Sequence, residues 1–148
     1  MVTIGSLLAK KGSKVWSVIA GATVYDALVL MAEKEVGALP VLSETNKLVG
    51  IVSERDYARK IILKGRDSKS TPVKEIMTPV EDMYCVDFDT PTEEAMVLIN
   101  TKHIRHLPVF NSHEFVGMIS IGDLLKSVIA EKEYTIEQLN SYISGKYV

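Results

Sequence analysis

The chain has a single cysteine, Cys85, so it cannot close a disulfide within itself. That excludes the small disulfide-stapled secreted scaffolds and predicts a reducing, cytoplasmic setting. No apolar run reaches membrane-spanning length and no signal-peptide pattern opens the sequence, which points the same way and predicts no membrane partner. Excess charge of one sign is missing too: 17 Lys and Arg face 19 Asp and Glu, a formal net charge of -2. A chain held on nucleic acid by a general basic field would carry a positive excess, so that class is excluded. Catalytic patterns are equally scarce. There is no nucleophile-base pairing, no phosphate-cradling glycine-rich loop and no paired-carboxylate motif, so no catalytic residue is assigned and no enzyme is predicted. His103, His106 and His113 fit no usual ligand spacing and no cysteine joins them, so no metal is expected. Cys85 lies in an alternating segment, Tyr84 to Phe88, with no His or Lys close in sequence to activate it, and reads as a core or semi-buried thiol.

What is present is apolar bulk: 148 residues, 47% hydrophobic, are one domain's worth and ample for a core. Charge is locally uneven. Arg55, Arg59, Lys60, Lys64, Arg66, Lys69 and Lys74 stand against Asp56 and Asp67, whereas Glu131, Glu133 and Glu137 make the far end acidic. The basic stretch reads either as a solvated helix face running into a polar linker or as an anion site.

In chain order, Ile4 to Ala9 predicts a short helix and Val15 to Ile19 a strand. Thr23 is a good N-cap for a helix to about Glu35, with Val24, Ala27, Leu28 and Met31 at helical spacing. Strands follow at Ala38 to Leu42 and Leu48 to Val52, then a helix from Ser53 to about Lys64, stopped by Gly65. Residues 66–75 form a polar linker, after which the order returns. Tyr84 to Phe88 reads as a strand, Thr90-Pro91-Thr92-Glu93 as a capped helix start, Leu107 to Phe110 and Phe115 to Ile119 as strands, and Ser120 as the start of another helix. A separate amphipathic helix is expected from Tyr134 to near Gly145, opened by a capping box at Thr135.

The two halves are copies. Ala27 and Ala95, like Pro40 and Pro108, are 68 residues apart, while Gly50 and Gly117, like Asp56 and Asp123, are 67 apart, so the second inner turn is one residue shorter. Each copy of about 60 residues is too small to bury much surface alone, which implies that the halves pack together with pseudo-twofold symmetry. The division expected is 1–66, 67–133 and the terminal helix 134–148. In both copies a short apolar strand ends at a serine with an aspartate three residues on: Gly50-Ile51-Val52-Ser53-Glu54-Arg55-Asp56 and Gly117-Met118-Ile119-Ser120-Ile121-Gly122-Asp123. Ser-x-x-Asp at a helix start is a capping arrangement, and the same geometry presents a helix N-terminus that suits phosphate or hydroxyl ligands.

These stretches, with Val36-Gly37-Ala38-Leu39-Pro40-Val41, Glu75-Ile76-Met77-Thr78 and Ile104-Arg105-His106-Leu107-Pro108-Val109, resemble the tandem cystathionine-beta-synthase (CBS) domain proteins of the small stand-alone type, over about residues 2–145. The resemblance implies an α/β (α+β) fold of two pseudo-symmetric β-α-β-β-α repeats packed as a Bateman module. It implies clefts for an adenosine-containing ligand such as AMP, ATP, NAD or S-adenosylmethionine. By that resemblance Asp56 and Asp123 would hold ribose hydroxyls, with Ser53 and Ser120 assisting. Val15, Trp16, Tyr84 and Cys85, with Val36 and Ile104, would wall the adenine, Arg105 and His106 would face phosphates, and Thr78 would offer a hydroxyl. Neighbours on a strand point to opposite faces, so Arg105 and His106 need not share a cleft, and Gly37 with Ala38 at the equivalent first-copy places leaves room there instead; the clefts should be unequal.

The function implied is a cytoplasmic ligand sensor, signalling to a separate partner protein and pairing as a homodimer through helix faces such as Val24 to Met31 and Ala95 to Ile99. The other class is a ligand-free dimeric adaptor, since some stand-alone plant relatives are linked to control of redox enzymes such as thioredoxin.

Overall fold

The structure is a computed structural model and describes residues 2–12 and 14–143. Helix α1 (Ile4–Lys11) forms because Thr3 and Ser6 make a reciprocal capping box and Lys10 and Lys11 complement its C-terminal dipole. Strand β1 (Val18–Ile19) leads through Thr23, whose hydroxyl accepts the Asp26 N–H, into helix α2 (Val24–Lys34). Strands β2 (Ala38–Leu42) and β3 (Leu48–Ser53) form an antiparallel pair, followed by helix α3 (Glu54–Lys60) and a 3₁₀ turn at Ile62–Lys64. After the linker come strand β4 (Thr78–Pro79), strand β5 (Val86–Asp87), helix α4 (Thr92–Lys102), strands β6 (His106–Asn111) and β7 (Glu114–Ser120), and helix α5 (Ile121–Ile143). The sheets run β1-β2-β3-β4 and β5-β6-β7, and β1 and β5 each pair parallel with the strand beside them.

The repeat extends to backbone detail. Glu35 (φ 55°) and His103 (φ 54°), 68 residues apart, both end their helix in the left-handed conformation. In register, Val18 pairs with Val41 and Val86 with Val109.

The packing units cut across the division at 66/67. Ile4, Leu7 and Leu8 of α1 are buried in the core built by Ala95, Ile99, Leu107, Val109, Ile119 and Leu124. Val73, from the stretch read as a polar linker, and Ile76 just after it are buried with Val24, Ala27, Met31, Leu39, Val41 and Val52. Each repeat is therefore completed by the segment that precedes the other. Matching backbone bonds hold the exchange: Ile4 N–H donates to Thr90 O (2.8 Å) and Thr92 N–H to Val2 O (3.0 Å), while Val73 N–H donates to Ala22 O (2.8 Å) and Val24 N–H to Thr71 O (2.9 Å).

That exchange corrects one cap. Thr90 does not cap α4; its hydroxyl accepts the Asp87 N–H, Pro91 takes the cap position without a side-chain bond, and Val2 O satisfies the Thr92 N–H that a capping side chain would have left to water. The expected first strands are also shorter than read, because only Val18–Ile19 and Val86–Asp87 find partners; Val15, Trp16, Tyr84 and Cys85 precede them.

The separate terminal helix is overturned as well. Helix α5 is continuous from Ile121 to Ile143, and Thr135 bonds back to Glu131 O one turn earlier instead of capping a new start. A capping box is satisfied only where the chain enters a helix, and no residue between Ser120 and Thr135 interrupts this one. Gly145, the expected end, lies outside the described residues. No described helix is long and apolar enough to cross a membrane.

Candidate functional site

The two Ser-x-x-Asp stretches fold alike. At the end of β3, Ser53 Oγ accepts the Asp56 N–H (3.2 Å), and Asp56 Oδ2 accepts the Ser53 N–H (2.9 Å) and hydroxyl (3.1 Å). At the end of β7, Ser120 Oγ accepts the Asp123 N–H (3.1 Å) and Asp123 Oδ2 accepts the Ser120 N–H (2.9 Å). Each aspartate is thus half a capping box through its Oδ2.

A lysine meets each carboxylate by a different route, at Oδ1 of Asp56 and at the already bonded Oδ2 of Asp123. Lys60, one turn along α3, lies 3.2 Å from Asp56 Oδ1 and donates to Ile76 O at 2.8 Å. Lys11, the last residue of α1, donates to Asp123 Oδ2 at 2.7 Å and to Met118 O at 3.0 Å. Burial raises the Asp123 pKa, but the Lys11 and Ser120 bonds outweigh it and hold the carboxyl below its ordinary value.

Beside a cavity of about 950 Å³ between α1 and α5 that also reaches Lys11 and Asp123, two clefts open at these caps that are built from both repeats. The larger, about 510 Å³, joins Ser120, Asp123, Gly122 and Met118 of the second repeat to Val15, Trp16, Val36, Gly37 and Pro40 of the first, with Lys11, Lys14 and Lys126 at its edge. The smaller, about 310 Å³, joins Ser53, Asp56, Arg55 and Thr78 to Ile104, Arg105 and His106. Gly37 and His106 belong to both. A Cβ on Gly37 would stand 3.1 Å from Glu54 Oε1 and 3.9 Å from His106 Cε1, so the two clefts adjoin at this glycine and this imidazole.

Burial lowers the His106 pKa first, and Lys11 and Arg105 lower it further against the opposing pull of Asp123, so the imidazole is neutral near pH 7. Trp16 carries Lys34 at 4.0 Å and Lys14 at 4.6 Å from its ring, and in the other repeat Tyr84 carries Lys102 at 5.3 Å.

Of the residues singled out from the sequence, Val15, Trp16, Val36, Gly37, His106, Ser120 and Asp123 meet in the larger cleft. Ser53, Asp56, Thr78, Ile104 and Arg105 meet in the smaller, again with Gly37 and His106. Arg105 and His106 do share a cleft, because His106 starts β6 and Arg105 precedes it, outside the alternation of the strand. Tyr84 and Cys85 line neither cleft; both are exposed ahead of β5, where the Cys85 surroundings desolvate its thiol and push its pKa up. Lys11, Lys14 and Lys126 have no role in the sequence reading, and Lys60 enters it only as part of the basic stretch. Lys60 and Lys126 carried a signal, at i+4 and i+3 from the aspartates; Lys11 carried none, since only the exchange of α1 brings it to Asp123.

The donor set fits a nucleotide: carboxylates that accept ribose hydroxyls, apolar and aromatic walls for a base, and ammonium and guanidinium groups for phosphate. A profile of the CBS domain matches residues 12–63 and 73–130. The chain belongs to the CBS-domain family. It is 45% identical, over 84% of its length and 62% of the relative's, to the mitochondrial CBS-domain protein CBSX3 of Arabidopsis thaliana. It thus spans less than two thirds of that relative. A CBS-domain protein from Burkholderia ambifaria superposes with a TM-score of 0.82 at 45% identity, covering 87% of this chain and 95% of that one. CBSX2, solved in complex with AMP, superposes with a TM-score of 0.70 at 28% identity, covering 88% of this chain and 98% of that one. The α+β fold with two CBS repeats is that of these neighbours.

Proposed function

We propose that the chain is a regulatory module, not an enzyme, that binds an adenosine-containing nucleotide in its two clefts and passes occupancy to a separate partner protein. One observation carries this reading: each Ser-x-x-Asp stretch stands in a cleft whose opposite wall comes from the other repeat. A ligand held there touches both repeats at once, so its affinity depends on their arrangement, which is what coupling requires. Support comes from the AMP complex of CBSX2. Asp56 and Asp123 take ribose hydroxyls, Trp16, Val15 and Val36 face the base in the larger cleft and Ile104 in the smaller. Arg105 and Arg55 serve phosphate beside Asp56. Binding of this kind calls for no metal.

Homodimer formation belongs to the same reading. Val24, Ala27, Met31, Ala95 and Ile99 are buried within their own repeats and are not available to a partner copy. Val29 and Val97, 68 residues apart and 40% and 65% exposed, are matching apolar positions that α2 and α4 present outward, with Tyr25 of α2 beside them in the exposed set. A cytoplasmic setting rests on the lone, unpaired Cys85.

A specific observation favours a second reading, a ligand-free adaptor: both aspartates already have intrachain partners as capping boxes. Calorimetric and thermal-shift titrations with AMP, ATP, NAD and S-adenosylmethionine separate the two. A ligand at 100 times its dissociation constant adds about 2.7 kcal/mol of stability, and binding is weakened by Asp56→Asn or Asp123→Asn. Four flat titrations leave the adaptor.

A further inference from the structure

Lys11 leaves the end of α1 and lays its ammonium on Asp123, at 2.7 Å, on the carboxylate that would accept ribose hydroxyls in the larger cleft. Its second bond, to Met118 O, ties it to β7. The other repeat is built differently: Lys60 belongs to the same helix as Asp56, bonds Ile76 O behind it, and is not part of the smaller cleft's lining. Only in the larger cleft does the lysine on the aspartate line the cleft itself, where it occupies Oδ2, one of the two oxygens that a ribose diol would take. The Lys11–Asp123 pair is partly exposed, and a pair of that kind is worth at most about a fivefold factor, so it can be displaced.

Displacement has a chemical condition. Ribose hydroxyls are neutral donors, so they satisfy Asp123 and leave the Lys11 ammonium without an anion. A ligand carrying a 5′-phosphate supplies one, and the flexible lysine stem reaches it without moving α1. A nucleoside offers no anion, and S-adenosylmethionine, whose single carboxylate is outnumbered by its sulfonium and ammonium, brings net positive charge into a cleft where Lys14 and Lys126 already stand.

We propose that Lys11 stands in for the ligand's ribose on Asp123 and, once displaced, clamps its phosphate, making the larger cleft selective for 5′-phosphorylated adenosine over adenosine and S-adenosylmethionine; this rests on the adenosine reading above. Trp16 is the chain's one tryptophan and lines this cleft, so its fluorescence reports this site and not the smaller one. Titrating wild type and Lys11→Met with ADP and with adenosine gives effects of opposite sign. ADP binds about tenfold more weakly to the variant, because a charge-assisted phosphate contact is gone. Adenosine binds about two- to fivefold more tightly, because no salt bridge has to be broken. Lys11→Arg, which restores a cation, recovers the ADP preference. Lys11→Gln takes the place of Lys11→Met if the latter does not melt cooperatively. Weakening of both ligands alike, or no change in either, overturns the role of Lys11 while leaving the adenosine reading standing. Absence of any fluorescence or heat response to every adenosine compound in wild type overturns that reading and this inference together.

Discussion

Leu8 of α1 lies over Gly117 of β7 so closely that a Cβ on the glycine would stand 2.8 Å from Leu8 Cδ1. In the other repeat Met77 lies over Gly50, where a Cβ would meet Met77 Sδ at 2.6 Å and the Thr78 carbonyl at 2.7 Å. Both glycines are bare because the exchanged segment needs their space, which ties the strand that ends in each Ser-x-x-Asp site to the segment completing its core.

The two glycines differ in what they face, and so should their alanine variants. At Gly117 the obstacle is the far end of a leucine, which can rotate; at Gly50 it includes backbone held by the β3–β4 pairing. Overpacking costs about 1–3 kcal/mol, and Gly50→Ala belongs at the upper end with Gly117→Ala near the lower. Urea unfolding of both variants checks the order.

Acid should remove stability through Asp123. Its folded pKa lies below the unfolded value, so the unfolded chain binds the extra proton in the window between them. The contribution is present above about pH 4 and lost as pH falls through the folded pKa. Melting curves from pH 7 to pH 2.5 should show Asp123→Asn less stable than wild type at pH 7, with the difference shrinking in acid.

His106 titrates in a higher window. Its folded pKa is depressed, so below about pH 6.5 the unfolded state takes up a proton that the folded state refuses, and stability declines as pH falls toward the folded value. His106→Gln flattens the wild-type slope between pH 7 and pH 5. Phosphate in either cleft raises the imidazole pKa, since His106 lines both; an NMR titration of the ring with and without nucleotide measures that shift.

Thr23 and Thr90 have different duties: Thr23 holds the cap position that Pro91 takes in the second repeat, and Thr90 matches Ala22. Thr23 caps α2, so Thr23→Ala costs about 1 kcal/mol. Thr90 holds only the Asp87 N–H near the surface, so Thr90→Ala costs less, as thermal unfolding of the pair can show.

The outward valines give the dimer test. Val29→Glu and Val97→Glu should each shift sedimentation from dimer to monomer while the melting temperature of the monomer stays within a few degrees, because neither side chain belongs to a core. A monomeric wild type counts against the homodimer.

The sequence by itself determined the repeat, the strand and helix order and the paired Ser-x-x-Asp stretches, since these rest on local periodicity, capping chemistry and matched offsets that need no partner. It also brought most cleft residues to notice, Ser53, Asp56, Ser120 and Asp123 above all. The tertiary structure alone decided which residues share a cleft, that Tyr84 and Cys85 stay outside, and that Val2 rather than Thr90 satisfies α4. It also decided that α5 runs on through Thr135. The physical reason is the segment exchange. Each small repeat buries too little alone and recruits apolar residues from across the chain, and Lys11 reaches Asp123 only because Ile4, Leu7 and Leu8 are buried in the second core.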